Sequence, residues 1–265
     1  LGQLDPAFQA GLARDRSHVT VEDCNFYHTS VLSNGEVVEG PWDLRGVEGS
    51  YLGGVNVAGE RVLELGPATG ALTWFMEDEG AEVVGFDVGF DVCGDILPSP
   101  ELDPREQQVN YLSEAIVPVQ NSWWYLHRDR RSLAKVAYGN IYALPGDLGT
   151  FDTALFGAIL LHLRDPFLAL QQAAARTTRR IVVTDVLQDP TLDPEQNVSR
   201  FGSAGLSNLS IWWTLTPEGV RHMLRFLGFD CQTTTFSTHR HHVAHDMNQP
   251  PIEMNMFTVV AERSS

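Results

Sequence analysis

The segment Arg61–Asp87, RVLELGPATGALTWFMEDEGAEVVGFD, constrains what this chain can fold into more than any other stretch. Arg61–Leu65 is an apolar run of strand length, and the turn Gly66-Pro67-Ala68-Thr69-Gly70 follows at once. Leu72, Phe75 and Met76 then recur at helical spacing, with Glu77-Asp78-Glu79 on the outer face and Gly80 as the stop. Ala81–Asp87 is a second apolar run, and it ends in a carboxylate. Strand, glycine turn, helix, strand and terminal acid outline a nucleotide-binding βαβ unit. The glycines admit a ligand to the backbone, the helix start offers free N–H groups, and Asp87 can accept hydrogen bonds from a ribose diol. A dinucleotide pyrophosphate wants G-x-G-x-x-G, whereas Ala68 stands at the second glycine position and Glu64 adds a repelling charge. A ligand carrying an ammonium and a sulfonium suits this turn better.

Composition narrows the partners. A chain of 265 residues with 43% hydrophobic content is long enough for one large domain. Its 18 Lys+Arg against 34 Asp+Glu give a net charge of −16, which disfavours nucleic acid because that affinity leans on phosphate neutralisation. Cys24, Cys93 and Cys231 are far apart and lack metal-ligand spacing, so they are read as reduced thiols of a cytoplasmic protein. No apolar run reaches membrane-span length, and no signal-peptide pattern opens the chain.

Asp5-Pro6 caps an expected helix to about His18. Asn25–Leu32 alternates as a strand, with Ser33-Asn34-Gly35 turning into Glu36–Val38. Trp42–Val57 is expected to be helical or irregular. Tyr27, His28, Trp42, Asp43 and Arg45 thus precede the nucleotide unit. Val88–Gln107 reads as a loop or insertion, and Gln108–Ser132 as a helix interrupted at Pro118. That helix carries Trp123 and Trp124 and ends in His127-Arg128-Asp129-Arg130-Arg131, either a basic patch or a solvated helix end. Strands follow at Lys135–Tyr138, Phe151–Phe156 and Arg179–Val186. His162 lies beyond the second of these strands, where open α/β sheets bind ligands; it is either a functional group or a holder of its loop. Gln188–Asn208 is long enough for a lid. Thr216-Pro217-Glu218 starts a helix through Leu227, and Phe229–Phe236 pairs with Met254–Ala261. The histidines of His239–His245 are expected in a polar loop, and no metal site is assigned to them.

Glu64-Leu65-Gly66-Pro67-Ala68-Thr69-Gly70, followed by GFD, NIYALP, FDTALFGAILLHLRDPFLAL and SIWWTLTPEGVRHMLRFLGF, resembles the motifs of class I S-adenosylmethionine-dependent methyltransferases. Within them the chain is similar to relatives of the tRNA wobble-uridine carboxymethyltransferase. The resemblance implies an α/β, Rossmann-like fold: a mostly parallel seven-stranded sheet with a C-terminal antiparallel strand pair. Residues 1–58 would form a helix and hairpin cap over the active site, and 59–265 the methyltransferase domain with insertions near 88–107 and 188–209. It implies S-adenosylmethionine as cofactor and S-adenosylhomocysteine as product. Glu64, Gly66, Ala68 and Gly70 would approach the methionine, Asp87 the ribose, Asn140 and Ile141 the adenine, and Phe156 and Gly157 the other side of the cofactor. His162 and His28 are candidate bases; Tyr27, Trp42, Arg45, Trp123 and Trp212 are candidates for the acceptor pocket. The carboxymethyl enzymes hold their extra carboxylate with a tyrosine and an arginine, where this chain has Leu161 and Leu209. The expectation is therefore methyl transfer to an oxygen or nitrogen of a small molecule, as in natural-product biosynthesis. A tRNA-modifying enzyme, a nicotinamide oxidoreductase and a non-catalytic cofactor-binding module are the alternatives.

Overall fold

The computed structural model describes residues 16, 18–89, 95–99, 101, 103–187, 189, 191–202, 210–243 and 246–264. The expected helix from Asp5, with Cys93, Leu209 and His245, lies outside them.

The expected βαβ unit forms nearly as read. Strand β4 (Arg61–Leu65) leads through the turn into α2 (Ala71–Asp78) and back to β5 (Glu82–Val88), which pairs parallel to β4. The strands β6 (Lys135–Gly139), β7 (Phe151–Gly157) and β8 (Thr177–Val186) extend the parallel sheet. Then β12 (Ile252–Arg263) runs antiparallel to β8 and to β11 (Phe229–His241). Successive residues of a strand face opposite sides, and the core divides accordingly. Leu63, Leu65, Val84 and Phe86 belong to the buried cluster that also takes in Ala169 and Leu170 of α5 (Pro166–Ala174) and Val220 and Leu224 of α6 (Pro217–Phe226). Val62, Val83 and Leu155 pack on the other face with Leu72 of α2 and with Trp123 and Leu126 of α4 (Val117–Arg130). Helices on both faces of a largely parallel sheet make a doubly wound, Rossmann-like fold.

The sheet has eight strands where seven were expected. Its order is β3-β11-β12-β8-β7-β4-β5-β6, with β3 (Trp42–Asp43) as the added edge. Trp42 and Asp43 pair with His241 and Arg240, because β11 continues well past the expected Phe236. The early hairpin is shorter than its alternation suggested, pairing β1 (Ser30–Val31) with β2 (Val37–Val38). The region 42–57 holds β3 and one short helix, α1 (Glu48–Tyr51). The stretch expected as a lid contributes β9 (Ser199–Phe201), which pairs antiparallel with β10 (Trp213–Leu215) outside the main sheet.

Pro118 does not break its helix. Pro104–Asn110 (α3) passes into a π-helical stretch, Tyr111–Ile116, and on into α4. The Val117 N–H donates to the Leu112 carbonyl, five residues back. This wider register carries the ladder past Pro118, which has no N–H to give. The charged end of α4 is also structural. Arg128 donates to the carbonyls of Arg16 (3.0 Å) and Val19 (2.5 Å), and Asp129 accepts from the Ser33 N–H and hydroxyl at 2.7 Å each. Arg130 pairs with Asp78 at 2.6 Å. Arg128 and Asp129 thereby fasten the N-terminal segment to α4, and Arg130 ties α4 to α2.

At the opposite end of the sheet from the glycine turn, Glu60 accepts from Arg180 (2.5 Å), Arg179 (2.6 Å) and the Thr153 hydroxyl (2.6 Å). Arg180 is 4% exposed, so its charge depends on this partner. Removing one member of a buried ion pair strands the other. Glu60→Gln is therefore expected to cost about 3–5 kcal/mol, read as a lower urea midpoint; an unchanged midpoint would show that Arg180 needs no counter-charge.

Candidate functional site

The sheet reverses its winding between β4 and β7, the position where doubly wound sheets bind ligands. A cleft of about 700 Å³ opens there, and a smaller hollow of about 110 Å³ adjoins it. Both are walled by Gly66, Asp87, Tyr111, Ile116, Ile159 and His162. The small hollow continues to Asn140, Ile141 and Leu163. The large cleft continues to Ala68, Gly157, Tyr27, His28 and Trp42. Ten of the residues expected at the site thus meet at one place, since the two hollows share a wall: Gly66, Ala68, Asp87, Asn140, Ile141, Gly157, Tyr27, His28, Trp42 and His162.

The turn after β4 has an unusual backbone. Gly66, Ala68 and Gly70 all have positive φ, at 73°, 49° and 88°. Ala68 accepts a conformation that costs an L-residue roughly 1–2 kcal/mol. Gly70 is required twice over, since a Cβ there would also stand 2.5 Å from the Trp74 ring. The Trp74 indole N–H donates to the Thr69 carbonyl at 3.2 Å, which holds the turn from inside. Thr69 holds it from outside. Its hydroxyl accepts from the His28 backbone N–H at 3.0 Å and meets His28 Nδ1 at 2.9 Å. One hydroxyl therefore joins the glycine turn to the N-terminal segment.

The two histidines differ in their wiring. His162 Nδ1 lies 2.7 Å from the Ser210 carbonyl, which can only accept, so Nδ1 carries the proton and Nε2 keeps its lone pair. Burial lowers the His162 pKa, with the Ser210 carbonyl opposing. Burial pushes His28 down to about 4. Both rings are neutral at physiological pH. Asp87 accepts from the Val88 N–H at 2.8 Å; burial raises its pKa, against the Val88 and Gln120 hydrogen bonds and the Arg16 charge.

Several expected site residues stand elsewhere. Glu64 is 3% exposed and lies beneath the turn, where its carboxylate accepts from the Thr73 hydroxyl at 2.5 Å instead of facing the cleft. Phe156 points into the core and Gly70 is filled by Trp74. Trp123 is 1% exposed, stacks on His127 and donates to the Thr73 hydroxyl at 3.4 Å, so it supports the floor. Trp212 donates to the Asp95 carbonyl at 3.0 Å, fastening the segment before β10 to the loop after β5. Arg45 is occupied by Asp43 through two hydrogen bonds of 2.8 Å. The expected histidine loop begins as strand, since His239-Arg240-His241 close β11: His239 is buried beside Ser237, and His241 stacks on Trp42 at 4.2 Å between centroids. Among the described residues no group of three or more His, Cys, Asp or Glu could hold a metal.

Sequence reasoning missed Tyr51, Tyr111, Ile116, His241 and Met254, which wall the large cleft. Pro118 was the available signal for Tyr111 and Ile116, because a proline inside a helix invites the π-helical turn that presents them. Tyr51 lies in a stretch without a distinctive pattern, and Met254 is expected at the start of a strand, whose pattern does not tell which end meets the cleft.

No protein-family profile and no curated protein sequence matches this chain. Solved structures do match in fold. A protein of echinomycin biosynthesis concerned with conversion of a disulfide bond into a thioacetal group matches at TM-score 0.56 and 14% identity, over 84% of this chain and 85% of that one. TehB from Haemophilus influenzae matches at TM-score 0.53 and 11% identity, over 83% of this chain and 63% of that one. The Burkholderia thailandensis 1,6-didemethyltoxoflavin-N1-methyltransferase, with S-adenosylhomocysteine bound, matches at TM-score 0.47 and 15% identity, over 83% and 76%. At these identities the likeness establishes the fold alone, a doubly wound, Rossmann-like sheet.

Burial also holds Glu64 and Asp185 at about 7, opposed at Glu64 by the Thr73 hydroxyl and at Asp185 by backbone hydrogen bonds from Val186 and Leu161. Each folded pKa lies above its unfolded value, so between roughly pH 4 and 7 the native state binds more protons and loses stability as pH rises. Glu64→Gln and Asp185→Asn are expected to flatten that decline in unfolding free energy relative to the parent. An unaltered slope in both would mean that neither carboxyl is held protonated.

Proposed function

We propose that the protein is a methyltransferase that moves the methyl group of S-adenosylmethionine to an oxygen or nitrogen of a small molecule. The observation that carries this reading is Asp87: its carboxylate stands at the tip of β5 in the wall common to both hollows, beside the left-handed turn at Gly66–Gly70. A ribose diol on Asp87 would send the adenine into the small hollow, between Ile141 and Leu163 and beside Asn140. The Asn140 side-chain oxygen already accepts from the Tyr142 N–H at 2.9 Å, which leaves its NH₂ group to donate to the base. The methionine would lie along Gly66 and Ala68, with Glu64 shaping the turn from below. The sulfonium methyl would then face the large cleft, and residues before Arg61 would form the wall over it.

The reaction asks little of the protein beyond alignment and exclusion of water, because the sulfonium is its own leaving group. In this reading His162 takes the acceptor's proton, which is supported by the Ser210 carbonyl fixing its tautomer with Nε2 unprotonated. His28, depressed to about 4, is a weaker base and serves as a hydrogen-bonding wall. The arginines that a tRNA face would need are largely committed within the fold: Arg128 to carbonyls of the N-terminal segment, Arg130 to Asp78, Arg176 to Leu144 (2.7 Å), and Arg179 and Arg180 to Glu60. This supports a small-molecule acceptor over nucleic acid.

Asp87→Ala is expected to weaken S-adenosylmethionine binding by about 1–3 kcal/mol in calorimetry through lost ribose hydrogen bonds. Unchanged affinity would remove Asp87 from the site. His162→Ala should lower turnover roughly a hundredfold while leaving cofactor affinity close to the parent's. Parental turnover would assign His162 to loop structure alone.

A further inference from the structure

We infer that the acceptor is an uncharged, flat aromatic molecule carrying the hydroxyl that is methylated, because rings line the acceptor half of the cleft and, among the described residues, no lysine or arginine does. The inference rests on the methyl-donor reading for its reaction and on the cleft walls for its chemistry. Tyr27, Trp42 and Tyr51 enter from the N-terminal segment, and His241 and Met254 from the two long antiparallel strands. Trp42 and His241 stack on one another, 28° from parallel at 4.2 Å between centroids, so each fixes the other's ring at the cleft wall. Met254 adds a polarizable sulfur of the kind that rests well against aromatic rings.

Charge points the same way. Among the described residues lining this cleft there is no lysine or arginine, and the two carboxylates are Asp87 and Glu114. The buried imidazoles of His28 and His162 are neutral and cannot replace a cation. A carboxylate or phosphate ester entering here would lose its hydration with no described lysine or arginine to pair it and with Glu114 in the same wall. An alkylammonium would enter without a nucleophilic lone pair. A phenolic hydroxyl meets neither obstacle, and it can donate to the free Nε2 of His162. As the acceptor oxygen forms its bond to the methyl carbon, the carbon–sulfur bond breaks and its electron pair returns to sulfur. The hydroxyl proton passes to His162, giving the methyl ether and S-adenosylhomocysteine.

The test compares three ligands of one ring system, 1-naphthol, 1-naphthoate and 1-naphthylmethylammonium. Each is titrated by calorimetry into the full chain, with and without saturating S-adenosylhomocysteine. Naphthol should bind at least about tenfold more tightly than either ion. In Val119→Lys, which places an ammonium on the helical wall of the cleft, naphthoate should gain most of that difference back. Naphthoate or the ammonium binding as tightly as naphthol to the parent would overturn the inference, and so would no binding of any of the three below about 1 mM. Failure of S-adenosylhomocysteine itself to bind would instead defeat the donor reading, while the selectivity among the naphthalenes on the unliganded protein would still decide the acceptor chemistry.

Discussion

The candidate site depends on the left-handed turn between Leu65 and Ala71. Three residues of five there have positive φ, and each is held by something different. Gly66 leaves room for Ile159, Gly70 leaves room for Trp74, and Ala68 bears its strain without glycine's freedom. Such strain persists only where the surroundings over-determine the backbone. Here they do: the Trp74 indole and the Thr69 hydroxyl grip the turn from its two sides, and Pro67 packs on Gly85 of the neighbouring strand. The result is a stretch of backbone at a strand tip that a ligand can approach closely, next to a carboxylate.

The same turn organises what lies around it. Thr69 ties it to His28, and the parallel bridge from His28 to Trp42 leads on to the sheet edge at His241. The N-terminal segment is therefore continuous with the main sheet through β11 and fastened to α4 through Arg128 and Asp129. Beneath the turn, Glu64, Thr73 and Trp123 form a buried polar chain that sets the floor. The wall of the cleft and its floor both trace back to groups that touch this one segment.

Much of this was legible in the sequence because the βαβ unit announces itself by apolar runs, glycines and a terminal acid at fixed intervals. The parallel strands and the helix start at Thr216 follow from such patterns, Asp87 and His162 from their places at strand ends, and Asn140 from the family resemblance. The misreadings have physical causes. Exposed polar residues such as Thr238 and Arg240 hid the length of β11, whose strand character comes from twelve paired positions along β12. Pro118 signalled a break where a π-helical turn absorbed it. Trp123 and Trp212 were aromatic in the right neighbourhood, but side-chain direction is set by packing, and their N–H groups found partners in Thr73 and Asp95. Glu64 turned under the loop for the same reason: a buried hydroxyl was within reach.

The central claim is that one ligand spans both hollows with its ribose on Asp87. A crystal structure of the protein soaked with S-adenosylhomocysteine tests it most directly. The expected result is both ribose hydroxyls within hydrogen-bond distance of the Asp87 carboxylate, the adenine between Ile141 and Leu163, and the sulfur facing His162. Density for the nucleoside outside the hollow at Asn140 and Ile141, or a ribose without contact to Asp87, would contradict it.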